Sequence, residues 1–356
     1  MKIIDNNLNI EETSYYYAIP ANSNYVFFDI ETTGLARRSS IIYLAGFLYR
    51  APEGLRSHQL LIESLEEEKE LIQKTLEFLN GFDHVITFNG DTFDIPMLKE
   101  RLKFHGIHSV FNFTQFDIYK KIRPYKKILG LESMKQKSIE SFLHLDREDK
   151  MSGGELINVF FFFLKIHDEE SFNLLIQHNF DDICGMPALL EILKYTEIFN
   201  LTPSVISSSI TDSSLELDIR LPYNLPVPVN FSHDEITISI ADASLHLDIK
   251  AVTDTLYHYF ANYKDYYYLP AEDTAIHRSV AEFVDSSAKV KAKASNCYVK
   301  KYGTFLPEYT EKIFSPEFRF ELHDRNMYFE MKDEIFANLE NASIYAKAIL
   351  NHIRPN

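Results

Sequence analysis

The chain has 356 residues, 46% hydrophobic and 25% charged, with a formal net charge of −16. This is apolar enough to bury a core in one large or two ordinary domains, which excludes a disordered polyelectrolyte. A uniformly acidic surface would also repel nucleic acid, so any polyanion must be met by a local exception to that charge.

No apolar run reaches membrane-spanning length, the densest patch being residues 159–164. The opening Met1-Lys2-Ile3-Ile4-Asp5 lacks the long apolar core of a signal peptide. Cys184 and Cys297 make neither a disulfide framework nor a zinc spacing. A reduced cytoplasmic protein with no membrane partner is expected.

In chain order, residues 1–20 are polar and predict an arm or an edge strand. Residues 25–30 are apolar on both faces, as in a central strand. Residues 41–49 and 59–62 read as two further strands in hairpin-like sequence. Leu65, Leu71, Ile72, Leu76 and Leu79 recur at helical spacing. A short strand over 85–88 precedes a helix that opens near Asp94 and Pro96. Residues 114–118 suggest a fifth strand. The segment 118–139 follows, with Lys120, Lys121, Arg123, Lys126, Lys127, Lys135 and Lys137 against Glu132 alone. Residues 155–195 read as helix, broken near His167 and near Asn179. This order predicts an α/β domain over residues 1–200, a mixed five-stranded sheet flanked by helices.

Thr202-Pro203 and the serines at 207–209 predict a linker over 201–214. Strict alternation over 215–221, 236–240 and 245–249 marks half-buried strands. Residues 253–261 and 271–281 read as helices. Lys289, Lys291 and Lys293 alternate with Val290 and Ala292, as on one basic strand face, and Lys300 and Lys301 complete a second basic island. A hairpin over 318–331 and a closing helix over 335–353 finish an α+β domain, 215–356.

Three acidic sites carry the chemistry. In Phe27-Phe28-Asp29-Ile30-Glu31-Thr32-Thr33-Gly34-Leu35, alternate residues of a strand place Asp29 and Glu31 on one face. Two close carboxylates repel, and a hard divalent cation bound through oxygen is their usual neutraliser. The second site, Asn89-Gly90-Asp91-Thr92-Phe93-Asp94, puts Asp94 after a strand at a helix start, with Asp91 read as a solvated loop residue. In the third, Gln177-His178-Asn179-Phe180-Asp181-Asp182, the four-residue offset sets His178 and Asp182 on one helix face. Asp181 lies about 100° around the helix, so one of the two aspartates faces any metal. Asp29, Glu31, Asp94 and Asp182 can hold two Mg²⁺ or Mn²⁺ ions, which activate a water and stabilise the leaving oxygen of a phosphodiester. An imidazole titrates near neutral pH, so His178 can act as general base, or it can orient the water or contact the phosphate.

These blocks resemble the three exonuclease motifs of the DEDD superfamily, which has a ribonuclease-H-like fold. Asp29-Ile30-Glu31-Thr32-Thr33-Gly34-Leu35 is similar to the first. Asn89 with Phe93-Asp94 is similar to the second as found in the proofreading domains of B-family polymerases. His178-Asn179 with Asp182 is similar to the third in a YprB-like bacterial branch, as is residues 147–153 just upstream. Most members carry Tyr four residues, or His five residues, before the last Asp; here His178 stands at the Tyr-type position. The resemblance covers about residues 24–196. It implies a metal-dependent 3′–5′ exonuclease acting on single-stranded DNA or RNA. Thr32, Thr33, Gly34, Leu35, Asn89 and Phe93 would border the terminal nucleotide, and Lys120, Lys121, Lys126 and Lys127 with Tyr119 and Tyr125 would follow the phosphates. An endonuclease of the same fold and a non-catalytic nucleic-acid-binding scaffold are the alternatives.

Overall fold

The computed structural model describes residues 1–8, 24–52, 54–145, 151, 153–309 and 312–355, in two units, Met1–Thr196 and Glu197–Asn356. The first unit runs β1 (Lys2–Leu8), β2 (Tyr25–Thr32), β3 (Ile42–Ala51), β4 (Gly54–Leu61), α1 (Glu68–Leu79), β5 (His84–Thr87), α2 (Asp94–Phe104), β6 (Thr114–Asp117), α3 (Ile118–Ile122), α4 (Gln136–Phe142), α5 (Gly153–Ile166) and α6 (Glu169–Leu189).

Its strands form one mixed sheet in the order β1-β4-β3-β2-β5-β6. The sixth strand is β1, which pairs antiparallel with β4 at the edge, where a polar strand costs least. Residues 9–20 of the expected arm lie outside the described residues. β2 is central: antiparallel to β3, parallel to β5, and apolar on both faces through Val26, Phe27 and Phe28. From β2 the chain builds outward through β3 and β4, then crosses by α1 to β5 on the other side. Strand order thus reverses beside β2, and the C-terminal ends of strands at such a reversal form a natural ligand crevice.

The helical stretch breaks at His167, in a left-handed conformation (φ 50°), as expected. It does not break at Asn179. α6 runs through that position because Asn179 is buried and its side chain is hydrogen-bonded to the sheet instead of competing for its own backbone.

α2, which carries Asp94, is tied to α1 by a buried ion pair. Glu68 accepts from Arg101 Nε (2.7 Å) and Nη2 (2.5 Å), from His105 Nε2 (2.8 Å) and from the Ile42 amide (2.9 Å). Burial pushes this carboxyl up, but the bonds from Arg101, His105 and Ile42 outweigh it and leave the pKa below the usual range. Arg101 also donates to the Arg38 carbonyl (3.1 Å), in the loop between β2 and β3.

The second unit is richer in strands than expected. Ser204–Ile210, read as part of a linker, is strand β7. It joins β8 (Ser214–Arg220), β9 (Val229–His233), β10 (Ile236–Ala241) and β11 (Ser244–Lys250) in a sheet ordered β7-β8-β11-β10-β9. The alternation read in the sequence is its buried face, through residues such as Leu217, Ile238 and Leu247.

Residues 253–261 are not a helix but strand β12 (Val252–Tyr259), where Thr253, Thr255, Tyr257 and Tyr259 favour a pleated surface. Residues 271–281 hold β14 (Thr274–His277), paired with β13 (Tyr266–Leu269), and only one turn of helix. β15 (Val290–Lys291), β16 (Tyr298–Glu308), β17 (Glu317–Phe318) and β18 (Met327–Glu330) complete a three-stranded sheet, β14-β13-β15, and a four-stranded one, β12-β16-β18-β17. β17 and β18 are the expected hairpin, and a helix over Leu339–Ile353 closes the unit. Among the described residues no helix is long and apolar enough to cross a membrane.

Replacing Arg101 by Met keeps length and removes charge, leaving Glu68 short of its main partner. The expected cost is about 3–5 kcal/mol in urea unfolding at pH 7, part of which Glu68→Gln in the same chain restores. Equal stability of Arg101→Met and the parent would show that the pair does not anchor α2.

Candidate metal centre

β2 ends in the pair Asp29 and Glu31, which the pleat sends to the same face. Opposite Asp29 in the antiparallel ladder stands Gly46 of β3. A Cβ there would sit 2.0 Å from Asn179 Oδ1, so the missing side chain is what lets α6 lie close. Through that gap Asn179 Nδ2 donates to Asp29 Oδ2 (2.9 Å), while Gln59 Nε2 of β4 donates to Asn179 Oδ1 (2.9 Å) and to the Ile176 carbonyl (3.0 Å).

One residue before Asn179, His178 is buried and faces the same end of the sheet. Its Nε2 lies 3.3 Å from Glu31 Oε1 and 3.4 Å from Asp182 Oδ2. These three side chains each offer a ligand atom within 4.8 Å of the others. Asp181 points elsewhere and accepts from Gln177 Nε2 (2.7 Å). Asp94, the first residue of α2, is buried and accepts from the Ile30 amide (3.1 Å), between Asp29 and Glu31. The structure therefore brings Asp29, Glu31, Asp94, His178 and Asp182 to one place.

Their mutual repulsion is visible in their acidities. Burial, then the charges of Asp182, Asp94 and Glu31, hold the Asp29 carboxyl well above the usual range, against the bond from Asn179. Burial pushes Asp94 up to about 7; the Ile30 amide opposes this, and Asp117 and Asp182 add to it. A half-buried set of carboxylates with one imidazole, mutually destabilised, suits a hard divalent cation.

The residues expected to touch substrate are placed less uniformly. Thr32 and Thr33 are used by the turn: Thr32 Oγ1 donates to the Gly34 carbonyl (2.8 Å) and Thr33 Oγ1 accepts from the Ile41 amide (2.9 Å). Leu35 is 83% exposed. Asn89 is in the left-handed region (φ 68°), its side-chain oxygen accepting from Thr92 Oγ1 (2.6 Å), and Phe93 packs against the core. Lys120, Lys121, Lys126 and Lys127 are all exposed, and Lys120 pairs with Asp91 (2.7 Å) at the surface, in keeping with Asp91 as a loop residue rather than a ligand. Tyr125 is buried and unavailable to a phosphate chain. Of residues 147–153, all but Met151 and Gly153 lie outside the described residues.

Sequence reasoning missed the supporting residues. Asp117 accepts from the amides of Asn89 (2.9 Å) and Asp91 (3.0 Å), shaping the loop that delivers Asp94. Tyr43 sits at a bulge where β2 and β3 shift register, a position that re-aims a side chain. Its ring stacks on Phe160 at 4.1 Å. Burial, then the charges of Glu31 and Asp29, hold its hydroxyl well above the usual phenol range. Gly46 and Gln59 carried no signal beyond their strand positions.

Residues 26–194 match the RNase_H superfamily family model. That match spans β2 to just beyond α6, and the mixed sheet flanked by helices is an RNase H-like fold. A 46-residue stretch is 52% identical to a DNA polymerase of Methanocaldococcus jannaschii, 13% of this chain and 3% of that protein. The family B DNA polymerase of the hyperthermophilic archaeon Pyrobaculum calidifontis aligns over 51% of this chain and 26% of its own, at 15% identity and a TM-score of 0.42. The chain thus spans a small part of either polymerase. The superfamily match supports a nuclease-type function, and the acidic groups at the centre can bind metal.

Two measurements test this geometry. Asp94 binds its proton up to about pH 7 when folded but only to about pH 4 when unfolded. Proton release therefore destabilises the fold as pH rises between those values. In EDTA the protein should lose stability from pH 4 to 7, and Mn²⁺ at 100 times its Kd should return about 2.7 kcal/mol at pH 7.5; Asp94→Asn should flatten the profile. Separately, Gly46→Ala must displace Asn179, at a cost of about 1–3 kcal/mol, and should weaken Mn²⁺ binding measured by calorimetry, whereas Ala at the exposed Gly153 should not.

Proposed function

We propose that this chain is a metal-dependent 3′–5′ exonuclease that hydrolyses phosphodiester bonds of single-stranded DNA or RNA in a cytoplasmic setting. The observation that carries this reading is the meeting of Asp29, Glu31, Asp94 and Asp182 with His178 at the C-terminal end of β2.

The four carboxylates would hold two Mg²⁺ or Mn²⁺ ions, Asp29 with Glu31 and Asp94 from the sheet side and Asp182 from α6. Such ions, when bound, acidify a water and stabilise the charge of a leaving oxygen. Asn179 fixes the rotamer of Asp29 through a charge-assisted bond, and Gln59 in turn fixes which end of the Asn179 amide faces Asp29. The Ile30 amide fixes Asp94 in the same way.

His178 Nε2, set between Glu31 and Asp182, is placed to take a proton from an attacking water or to steer it. Thr32, Thr33 and Gly34 supply a tight turn beside the centre, against which a terminal nucleotide can lie. The exposed Lys120, Lys121, Lys126 and Lys127 offer the phosphates a positive path across an otherwise acidic chain.

An exonuclease shortens end-labelled single strands stepwise in Mg²⁺ or Mn²⁺ and spares circular ones; cutting of circles would favour the endonuclease, and binding without product in any metal the scaffold. Asp29→Ala and Asp182→Asn should abolish turnover with circular dichroism unchanged. His178→Ala should slow it by about 10²–10⁴-fold. Turnover that survives Asp182→Asn would overturn the assignment.

A further inference from the structure

The second basic island lies in the unit that the superfamily match does not reach, and the strand register there sorts its side chains. In the antiparallel pair β12–β16, Tyr259 stands opposite Tyr298, Tyr257 opposite Lys300, and Thr255 opposite Tyr302. Directly opposed residues share a face of the sheet. On the other side of Tyr257, an isolated bridge sets Arg319 opposite it, so Arg319, Tyr257 and Lys300 form a row across three segments. Leu256 and Phe305 point to the opposite face, where they are buried with Phe318. One face of this small sheet is therefore core, and the other carries four tyrosines, a lysine and an arginine.

The tyrosines are set against each other. Tyr257 and Tyr298 meet edge to face at 4.8 Å, Tyr259 and Tyr298 at 5.4 Å. Asp273 accepts from the hydroxyls of Tyr298 (2.5 Å) and Tyr268 (2.6 Å) and from Lys300 Nζ (2.8 Å), which holds the row in place. Tyr302 is 72% exposed. Beside the row is a recess of about 210 Å³ walled by Tyr257, Tyr259, Phe260, Tyr263 and Arg319, with Glu317 also in its lining. The neighbouring three-stranded sheet repeats the pairing, with Lys291 opposite Tyr267. Residues 289–302 carry five lysines and no carboxylate, in a chain whose net charge is −16.

Aromatic faces interleaved with cations on an open sheet suit unpaired bases joined by phosphates, since every base has a face to stack and every linkage a charge to meet. We propose that this face of the β12–β16 sheet is a second site for single-stranded nucleic acid, with bases stacked on Tyr257, Tyr298 and Tyr302 and phosphates held by Lys300 and Arg319. The occupant rests on the substrate class proposed above; the site itself uses none of the carboxylate centre. It accounts for an aromatic face that carries Lys300 and Arg319, though Asp273 and the Asp324 carbonyl already engage these cations, and it gives the second unit the task of retaining a strand.

The test separates the two claims. Full-length protein carrying Asp182→Asn, in EDTA, is titrated into fluorescein-labelled dT20 and rU20, and anisotropy is read at several salt concentrations. Binding of either oligomer is expected without divalent metal. Tyr302→Ala, at an exposed position, should weaken it about five-fold or more, and Lys300→Ala or Arg319→Ala should each lower the salt slope by about one. In the chain with Asp182 intact, hydrolysis of a trinucleotide should not change with Tyr302→Ala. If the nuclease reading fails, no trinucleotide is cut by any chain, yet Tyr302-dependent binding remains. If this inference fails, affinity for both oligomers is the same with and without Tyr302, Lys300 and Arg319, whatever the hydrolysis shows.

Discussion

Carboxylates that repel one another at the end of a buried strand are the constraint around which the first unit is arranged. Asp29 and Glu31 sit on β2, the most enclosed strand of the sheet, and Asp94 is buried beside them. Burial alone makes each costly to ionise, and proximity compounds the cost. The supporting contacts either offset it or hold the acidic groups in place, although the charge of Asp117 adds to the cost at Asp94. Asn179 and the Ile30 amide donate to Asp29 and Asp94; Gly46 makes the room that Asn179 needs; Asp117 shapes the loop before Asp94; Glu68 and Arg101 pin the helix that Asp94 begins. A fold built for stability alone would place apolar residues there. Perturbed acidities clustered at a sheet end are a common feature of functional sites.

The strand carrying this pair was legible because its signal is local. An apolar run followed by Asp-x-Glu and a turn needs only the two-residue period of a strand, and the His178–Asp182 offset needs only the helical period. Helical arithmetic says only that one of Asp181 and Asp182 faces the centre; the choice of Asp182 rests on the register of the third motif, and Asp181 is the one turned away, onto Gln177. What was not legible depends on the partner across space. Gly46 is one glycine in a strand until β2 is laid beside β3. Asn179 resembled a helix break because Asn competes for its own backbone in solution; here its amide is claimed by Asp29 and Gln59. Gln59 and Tyr43 carry no motif at all, and the bulge that turns Tyr43 exists only in the pairing of two strands.

The second unit was misread for a related reason. Residues 253–261 mix apolar and polar positions in a way that fits either period, and β-branched and aromatic side chains decide for the strand only when a neighbouring strand receives them. β16 does so along eight consecutive residue pairs. The serines of β7 looked like a linker because an edge strand with one solvated face needs few large side chains. By contrast, the alternating runs around Leu217, Ile238 and Leu247 were unambiguous, since a half-buried sheet leaves no other pattern.

The same electrostatics constrain how a substrate approaches. Four carboxylates with their charges exposed to one another would repel a phosphodiester as strongly as they attract cations. Two divalent ions would cancel the four negative charges that the carboxylates carry once ionised. A phosphate would therefore be admitted by the event that also activates the water. Cation dependence would then appear at the level of strand binding at the centre as well as at bond cleavage. A surface that binds a strand through tyrosines and lysines would carry no such coupling, because it uses no cation held by carboxylates. The two kinds of binding would be separable by chelation alone, one lost with the metal and the other unchanged, with a shared weakening by salt.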